Sequence, residues 1–359
     1  MRVLRTTPHP HSLSPLRGEG GPHHSVFCVL GRIFAVLLLI IAFCQTTAAD
    51  TNSPKPTVIV IAGASGEEDF GKVFVEAAEL WREATLNTDV NLMMIGVTNA
   101  AATNDLEQLR AALAHEPKEG ATELWLVLLG HGTFDGREAK FNLHGPDLSA
   151  LTLSNLLHSF QRPLAVINAA SASAPFIRAL SRTNRVVITA TRSGAEENYA
   201  RFGKFISQAI ADPQADLDKD GQTSLLEAFL MAARGVGEFY KGEARLATEH
   251  ALLDDNGDSL GTPADWFRGI RAVKKAANET ALDGLRANQW RLVRSREDRK
   301  LSPEQRQQRD GLELEIAQLR QQKNALSEDD YYRKLEALLT QLGEIELTND
   351  PGPDRAKRE

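Results

Sequence analysis

The sequence predicts an α/β fold, with a mainly parallel sheet flanked by helices and a C-terminal helical hairpin or coiled coil. Continuous apolar runs at 58–62, 124–129 and 164–167 indicate strands that are buried on both faces. Segments with helical spacing separate these runs, as crossovers between parallel strands require. From about residue 270 onward, the apolar residues keep helical spacing alone.

The predicted elements between residues 57 and 269 alternate between strand and helix. In chain order they are a strand at 58–62, a helix at 73–85, a strand at 90–97, a helix at 105–115, a strand at 124–129, a helix at 151–160, and strands at 164–167 and 186–191. Side chains at the carboxyl ends of parallel strands meet at one edge of the sheet, so we expect functional residues there.

The C-terminal region, 270–347, is predicted to be helical throughout. Ser302 followed by Pro303 matches a helix N-cap with proline at the first helical position. Two apolar stripes flank a polar break at 327–330, and their residues are Leu312, Ile316, Leu319, Leu326, Leu335, Leu338, Leu342 and Ile345. Packing or self-association through these helices is favoured over a specific partner. The tail, 348–359, is expected to be disordered.

The first 49 residues have the composition of a secretion signal. Four arginines are opposed by the single acid Glu19, an apolar run follows at 33–43, and small residues lead up to Ala49. This order predicts a cleaved signal peptide at 1–49, a polar linker at 50–56 and export to the periplasm or the outside. An uncleaved N-terminal membrane anchor is the alternative. The basic region is unusually long, so a translation start further into the chain is also considered.

Cysteine usage and charge narrow the classes of function. The two cysteines, Cys28 and Cys44, both lie in the predicted signal peptide. The mature chain would therefore contain no disulfide, thiolate ligand or cysteine nucleophile. The 359 residues carry a formal net charge of −7 and no long run of lysine and arginine. Because nucleic-acid binding needs a basic surface, nucleic acid is not an expected partner.

A twelve-residue acidic loop at 216–227 matches the ligand frame of an EF-hand. Carboxylates stand at positions one, three, five and twelve, and Gly221 stands at position six, where the chain must turn. Calcium prefers six to eight oxygen ligands, and this spacing wraps oxygens around one point. The sequence therefore predicts Ca²⁺ as a cofactor. The predicted ligands are Asp216, Asp218, Asp220, Gln222 through its backbone carbonyl, Ser224 and Glu227.

Two departures from the EF-hand frame favour a structural role over a sensor role. Thr223 occupies the eighth position, where an aliphatic residue normally lets two loops pair, and Pro213 bends the entering segment. We therefore expect the loop to fix the following apolar helix, predicted at 225–239, as a clip.

A second acidic loop at 254–265 matches the same frame less well. Ser259 replaces the turn glycine, and Pro263 intrudes. An acidic turn without a metal is an equal alternative here. The candidate ligands are Asp254, Asn256, Asp258, Thr262 and Asp265.

Two strand ends carry a histidine and a turn of small residues. His131 lies between two glycines after the run at 124–129, and Ala-Ser-Ala-Ser-Ala at 170–174 follows the run at 164–167. The pair resembles the caspase-like and legumain-like (peptidase C13-type) peptidases, whose histidine activates a cysteine in an Ala-Cys-x-Ser-Gly turn. The resemblance spans about 57–267. It implies a caspase-like sheet, with His131 as the family histidine and Ser171 at the nucleophile position.

Arg192 is a candidate substrate-binding residue. It ends the stretch 187–192, which resembles the family's pocket-lining strand. Its guanidinium is suited to an acidic substrate group. A surface ion pair with Glu196 or Glu197 is the alternative.

The lack of a cysteine at the nucleophile position bears on which of three functions the chain has. A shift of one residue would place Ala170 at the nucleophile position, and in either alignment the cysteine mechanism cannot operate. A serine nucleophile needs an oriented general base, and the nearest acid, Asp135, precedes a glycine in a typical hairpin turn. We favour an exported calcium-binding protein whose degenerate peptidase domain binds or scaffolds a peptide or protein ligand. The alternatives are a hydrolase using Ser171 and His131, or a calcium-binding domain on an unrelated α/β fold.

Overall fold

A seven-stranded sheet forms the centre of the computed structural model, which describes residues 55–97, 104–277 and 280–349. In chain order, the strands and helices up to residue 272 are β1 (Thr57–Ala62), α1 (Glu68–Thr85), β2 (Asn91–Ile95), α2 (Asp105–His115), β3 (Leu124–Leu129), β4 (Gly132–Phe134), β5 (Ala139–Phe141), β6 (Leu148–Ser149), α3 (Ala150–Leu156), β7 (Leu164–Asn168), α4 (Pro175–Leu180), β8 (Arg185–Thr189), α5 (Phe202–Ala209), α6 (Leu225–Gly242), β9 (Leu252–Asp254), β10 (Thr262–Pro263), β11 (Phe267–Arg268) and β12 (Arg271–Ala272).

The central sheet is mainly parallel. Its strand order is β10-β9-β8-β7-β3-β1-β2. β1 pairs in parallel with β2 and β3, and β7 pairs in parallel with β3 and β8. Only the edge formed by β9 and β10 is antiparallel. The predicted α/β class, with a mainly parallel sheet flanked by helices, is confirmed.

Two apolar layers cover the sheet. In β1, Val60 packs into one layer with Trp81 of α1 and Phe229 of α6. Ile61, the next residue, packs into the opposite layer with Leu109 of α2. Because both faces are buried, the central strands contain continuous apolar runs instead of an alternating pattern.

A small antiparallel sheet follows β3 and contains the predicted hairpin. β4, β5 and β6 form three strands in that order. At the tip, Asp135 Oδ1 accepts the backbone N–H groups of Arg137 and Glu138, and Gly136 has φ = 89°. Asp135 is therefore a turn residue, as its sequence context predicts.

The helical C-terminal region begins later than predicted. Between residues 267 and 302 the chain forms the β11–β12 hairpin and short 3₁₀ turns at Ala287–Gln289 and Asp298–Lys300. The reason is packing on the main core. The Trp290 ring lies 4.9 Å from the Trp125 ring, and Leu292 is buried. These apolar side chains cover the sheet and do not form a helical stripe. The region belongs to the compact unit Pro54–Glu359.

Two long helices form a C-terminal hairpin. They are α7 (Pro303–Gln321) and α8 (Glu328–Asn349). Ser302 caps α7 through a reciprocal capping box with Gln305. Leu312 of α7 and Ile345 of α8 are buried in one apolar cluster together with Leu301. A small apolar seam therefore joins the hairpin.

Some predicted segments fall outside the described residues. These are the signal peptide at 1–49, the first part of the linker, and residues 350–359 of the tail. Within the described ranges, no helix combines the length and the apolar character needed to cross a membrane.

The contact between Trp290 and Trp125 gives a first prediction. Trp290→Ala should lower the free energy of unfolding by about 3 kcal/mol, because it leaves a cavity beside the sheet. Val293→Ala, at a side chain that is 39% exposed, is the matched control and should change stability by less than about 0.5 kcal/mol. Urea denaturation measures both. Equal effects would mean that this segment is not part of the core.

Candidate metal centre

The loop at 216–227 connects a 3₁₀ turn, Pro213–Ala215, to helix α6. Asp216 Oδ2 accepts the N–H of Gly221 at 3.1 Å, and Asp218 Oδ1 accepts the N–H of Asp220 at 3.2 Å. Gly221 has φ = 84°, in the left-handed region that favours glycine. The sharp turn that the sequence frame places at Gly221 is therefore present.

Three carboxylates converge inside this loop. Oxygen atoms of Asp216, Asp218 and Glu227 lie within 4.8 Å of one another. Asp216 is only 8% exposed, and its buried Oδ1 has no hydrogen-bond partner. An unpaired buried carboxylate oxygen is unfavourable, and a cation among the three side chains would satisfy it. The side-chain oxygens fit a hard cation such as Ca²⁺. These three residues would hold the ion.

The loop carries excess negative charge. Partial burial, together with the neighbouring carboxylates of Asp220 and Glu227, raises the pKa of Asp218. Both influences disfavour the ionised carboxylate. A divalent cation bound among these oxygens would oppose them and lower the pKa again. The arrangement is therefore suited electrostatically to a positive ligand.

Glu227 also joins the loop to α6. Its Oε1 accepts the backbone N–H groups of Leu217 and Asp218, and its Oε2 accepts the N–H and hydroxyl of Ser224. Ser224 is the N-cap of α6, and its hydroxyl accepts the N–H of Glu227 in return. One buried carboxylate thus fixes both ends of the loop.

Three of the six predicted ligands lie outside the carboxylate group. The carboxylate of Asp220 pairs with Arg291 at 2.8 Å. The side chain of Gln222 accepts the N–H of Ser295 at 2.8 Å. The Ser224 hydroxyl serves as the helix cap. Sequence reasoning missed Arg291, because nothing in the local pattern links two residues that are 71 positions apart.

The second acidic loop has similar turns but does not assemble a complete frame. Asp254 Oδ2 accepts the N–H of Ser259, and Asn256 Oδ1 accepts the N–H of Asp258. The last two predicted ligands do not join them. The Thr262 hydroxyl donates to Asp283, and Asp265 is exposed in the 3₁₀ turn Ala264–Trp266. In the described part of the chain, the loop at 216–227 alone brings three carboxylates together.

A buried pair of carboxyl groups lies behind this second loop. Asp283 Oδ1 accepts the N–H groups of Asp255 and Asn256, and Asp255 accepts those of Gly284 and Ala287. Burial, reinforced by the neighbouring Asp255, raises the pKa of Asp283 to about 8. The Asp283 carboxyl is therefore mostly protonated at neutral pH, and the pair ties residues 283–287 to the edge of the sheet.

The Ser171 hydroxyl is hydrogen-bonded to the backbone of Gly132. The Ser171 hydroxyl donates to the carbonyl of Gly132 at 3.0 Å and accepts the Gly132 N–H at 3.1 Å. No hydrogen bond in the described ranges joins Ser171 to the His131 ring. That ring packs against Phe70 and Phe74, with centroid distances of 4.8 and 5.1 Å. Burial lowers the pKa of His131, so the imidazole is neutral at neutral pH.

Gly132 is required by the same close approach. A Cβ atom added there would lie 2.2 Å from the carbonyl oxygen of Ser171. The His-Gly pattern therefore has a packing role, in addition to its resemblance to a peptidase motif.

Arg192 forms a surface ion pair with Glu196, which was the predicted alternative to a role in substrate binding. Its Nε lies 3.2 Å from Oε1 of Glu196, and the arginine side chain is 62% exposed. Arg192 also lines an open cleft of about 930 Å³, together with Arg137 and Arg178. Neither His131 nor Ser171 lines this cleft. The acid Glu138 also lines it, together with serine and apolar side chains.

The raised pKa of Asp283 predicts a pH dependence of stability. An unfolded aspartate titrates near pH 4, so between about pH 4 and pH 8 folding takes up a proton and stability falls as pH rises. Asp283→Asn keeps the shape and removes this titration. From pH 5 to pH 8 the stability of the variant relative to that of the wild type should rise by about 3–4 kcal/mol, because only the wild type loses the stabilising proton over this range.

Urea denaturation at the two pH values measures this difference. Asp265→Asn, at an exposed carboxylate, is the control and should follow the wild type. An Asp283→Asn variant with the same pH slope as the wild type would contradict the prediction.

Comparisons with known proteins show no family for this chain. No protein-family model and no curated protein matches it. Among solved structures, it is similar to a crystal structure of the protein GSU0716 from Geobacter sulfurreducens, at 12% identity and a TM-score of 0.35. That match covers 56% of this chain and 93% of the other. A similarity at this level carries no functional argument.

Proposed function

We propose that this chain is an exported calcium-binding protein in which the ion fixes the loop 216–227 to helix α6. The observation that carries the proposal is the unpaired, buried Oδ1 of Asp216, in reach of oxygens from Asp218 and Glu227. A protein fold seldom leaves such an oxygen without a donor. A calcium ion supplies the missing positive charge and accepts oxygen ligands from all three side chains.

The proposed effect of calcium is structural. Helix α6 lies in the main core, where Leu225 and Phe229 are fully buried. Glu227, in its first turn, would be held to Asp216 and Asp218 by a shared ion. An ion that binds only the folded state adds stability in proportion to the logarithm of its concentration above Kd. Calcium would therefore act as a clip and not as a switch that opens a helix pair.

For the peptidase-like region, we propose binding without peptide hydrolysis. A serine nucleophile donates its hydroxyl proton to the catalytic base, whereas the Ser171 hydroxyl donates to the Gly132 carbonyl. A peptide or protein ligand with carboxylate groups would suit the cleft, where Arg137, Arg178 and Arg192 outnumber the one acidic lining residue, Glu138. The proposal of export is based on the signal-like composition of residues 1–49.

Calcium binding is tested by removing one ligand charge. Glu227→Gln keeps a residue type that supports the capping box, but removes the carboxylate, and should weaken calcium binding by at least about tenfold. Asp216→Asn should act in the same direction. Calorimetric titration should give one site in the wild type, with a melting temperature that rises with calcium.

Asp258→Asn is the matched control, because it changes one acid in the second loop and should leave calcium affinity unchanged. Wild-type protein without saturable calcium binding, or with a melting temperature indifferent to chelator, would contradict the proposal. If Asp258→Asn weakened calcium binding equally, the ion would not be specific to the loop at 216–227, and the proposed site would be wrong.

The binding proposal and the hydrolase alternative predict different results in a labelling experiment. At saturating calcium, a serine-directed phosphonate should leave the protein unmodified, because the Ser171 hydroxyl is hydrogen-bonded to the Gly132 backbone instead of to a base. Intact-mass spectrometry detects any adduct. An adduct that Ser171→Ala abolishes would establish the hydrolase and refute the binding proposal.

A further inference from the structure

Arg291 is a positive charge fixed beside the acidic loop. Its side chain is 13% exposed, its Nη2 lies 2.8 Å from Oδ2 of Asp220, and its buried Nε has no hydrogen-bond partner. Its Nη1 donates weakly to the carbonyl of Gln289 at 3.4 Å. The ion pair with Asp220 is therefore the main polar contact of this guanidinium.

The chain around Arg291 is attached to the loop along its length. We call residues 283–295 the bridging segment. The N–H of Leu225 donates to the Trp290 carbonyl at 2.7 Å, and Asn288 Oδ1 lies 3.1 Å from the Ser224 hydroxyl oxygen. The far end of the segment is held by the buried Asp255–Asp283 pair. The loop and the bridging segment are therefore in direct contact, and a structural change in the loop would reach the segment.

The segment also reaches the C-terminal hairpin. The side-chain amide of Gln289 donates to the carbonyl of Asp310 and to the carboxylate of Glu313, both at 2.9 Å. Asp310 and Glu313 both belong to α7. One stretch of chain thus touches the acidic loop, the sheet edge and the hairpin.

Asp220 is directed to Arg291 and not to the ion site. It stands at the fifth position of the ligand frame, yet the converging oxygens come from Asp216, Asp218 and Glu227. One oxygen of Asp220 accepts the Gln222 N–H, and the other faces Arg291. Asp220 must turn away from Arg291 to coordinate an ion. A guanidinium this close also repels a divalent cation.

We propose that Arg291 is an internal cation that competes with calcium for Asp220. Calcium binding then transfers Asp220 from Arg291 to the ion and releases the polar anchor at the centre of the bridging segment. Arg291 thereby sets a lower calcium affinity than the loop alone would have. This inference rests on the proposed calcium site and specifies its regulation.

The experiment compares calcium titrations of wild type and Arg291→Gln by calorimetry. Removing the competing charge should tighten calcium binding by about tenfold, since the repulsion and the ion pair are both lost. Arg234→Gln is the matched control. It makes the same change in net charge at an exposed arginine of α6 that pairs with Glu238, and should leave affinity unchanged.

The outcomes separate this inference from the proposed function. If neither the wild type nor Arg291→Gln binds calcium, the calcium site itself is overturned. Saturable wild-type binding with unchanged or weaker binding in Arg291→Gln would overturn only the competition, and weaker binding would make Arg291 a support for the site. Arg291→Met, which keeps an apolar stem, replaces the glutamine variant if circular dichroism shows that Arg291→Gln does not fold.

Discussion

The carboxylate of Glu227 is the group on which the acidic loop depends. It is 1% exposed, accepts hydrogen bonds from Leu217, Asp218 and Ser224, and lies against two further carboxylates. The backbone donors partly compensate its burial, but they do not neutralise the charge of the group. A bound cation would supply the positive charge that neutralises this carboxylate. This is the physical reason for proposing calcium at this point.

The acidic loop lies beside the main apolar core. Glu227 belongs to the first turn of α6, and α6 buries Leu225 and Phe229 against one face of the sheet. The bridging segment continues from the loop to Trp290, which packs on Trp125 of β3. A single contact, between Trp290 and Trp125, thus connects the bridging segment beside the loop to a central strand. By contrast, the histidine–serine region lies at the ends of β3 and β7, where its polar groups bond to backbone.

The sequence predicted the features that depend on local spacing. The central strands are recognisable because both their faces are buried, and the turn at Gly221 is recognisable because the ligand frame requires a left-handed residue there. Edge strands β9 and β10 contain only three and two residues, which is too short for a periodic signal. The helical prediction for 270–302 was wrong because Trp290 and Leu292 pack into the main apolar core and do not belong to a helical stripe.

Other features of the site depend on contacts between distant parts of the chain. The pairing of Arg291 with Asp220 and the burial of Asp283 beside Asp255 have no local sequence signature. The Ser171 hydroxyl bonds to Gly132 because two strand ends approach closely, and the sequence shows the glycine but not its neighbour. Residue type predicted which groups could act as ligands or nucleophiles. Only the fold shows which partners they have.

Hydrogen–deuterium exchange with and without calcium tests the central claim most directly. If calcium joins Asp216 and Asp218 to Glu227, amides of residues 216–228 should exchange more slowly in calcium than in chelator, with the effect centred on the loop and the first turn of α6. The second acidic loop should change little. Unchanged exchange across 216–228 at saturating calcium would contradict the account.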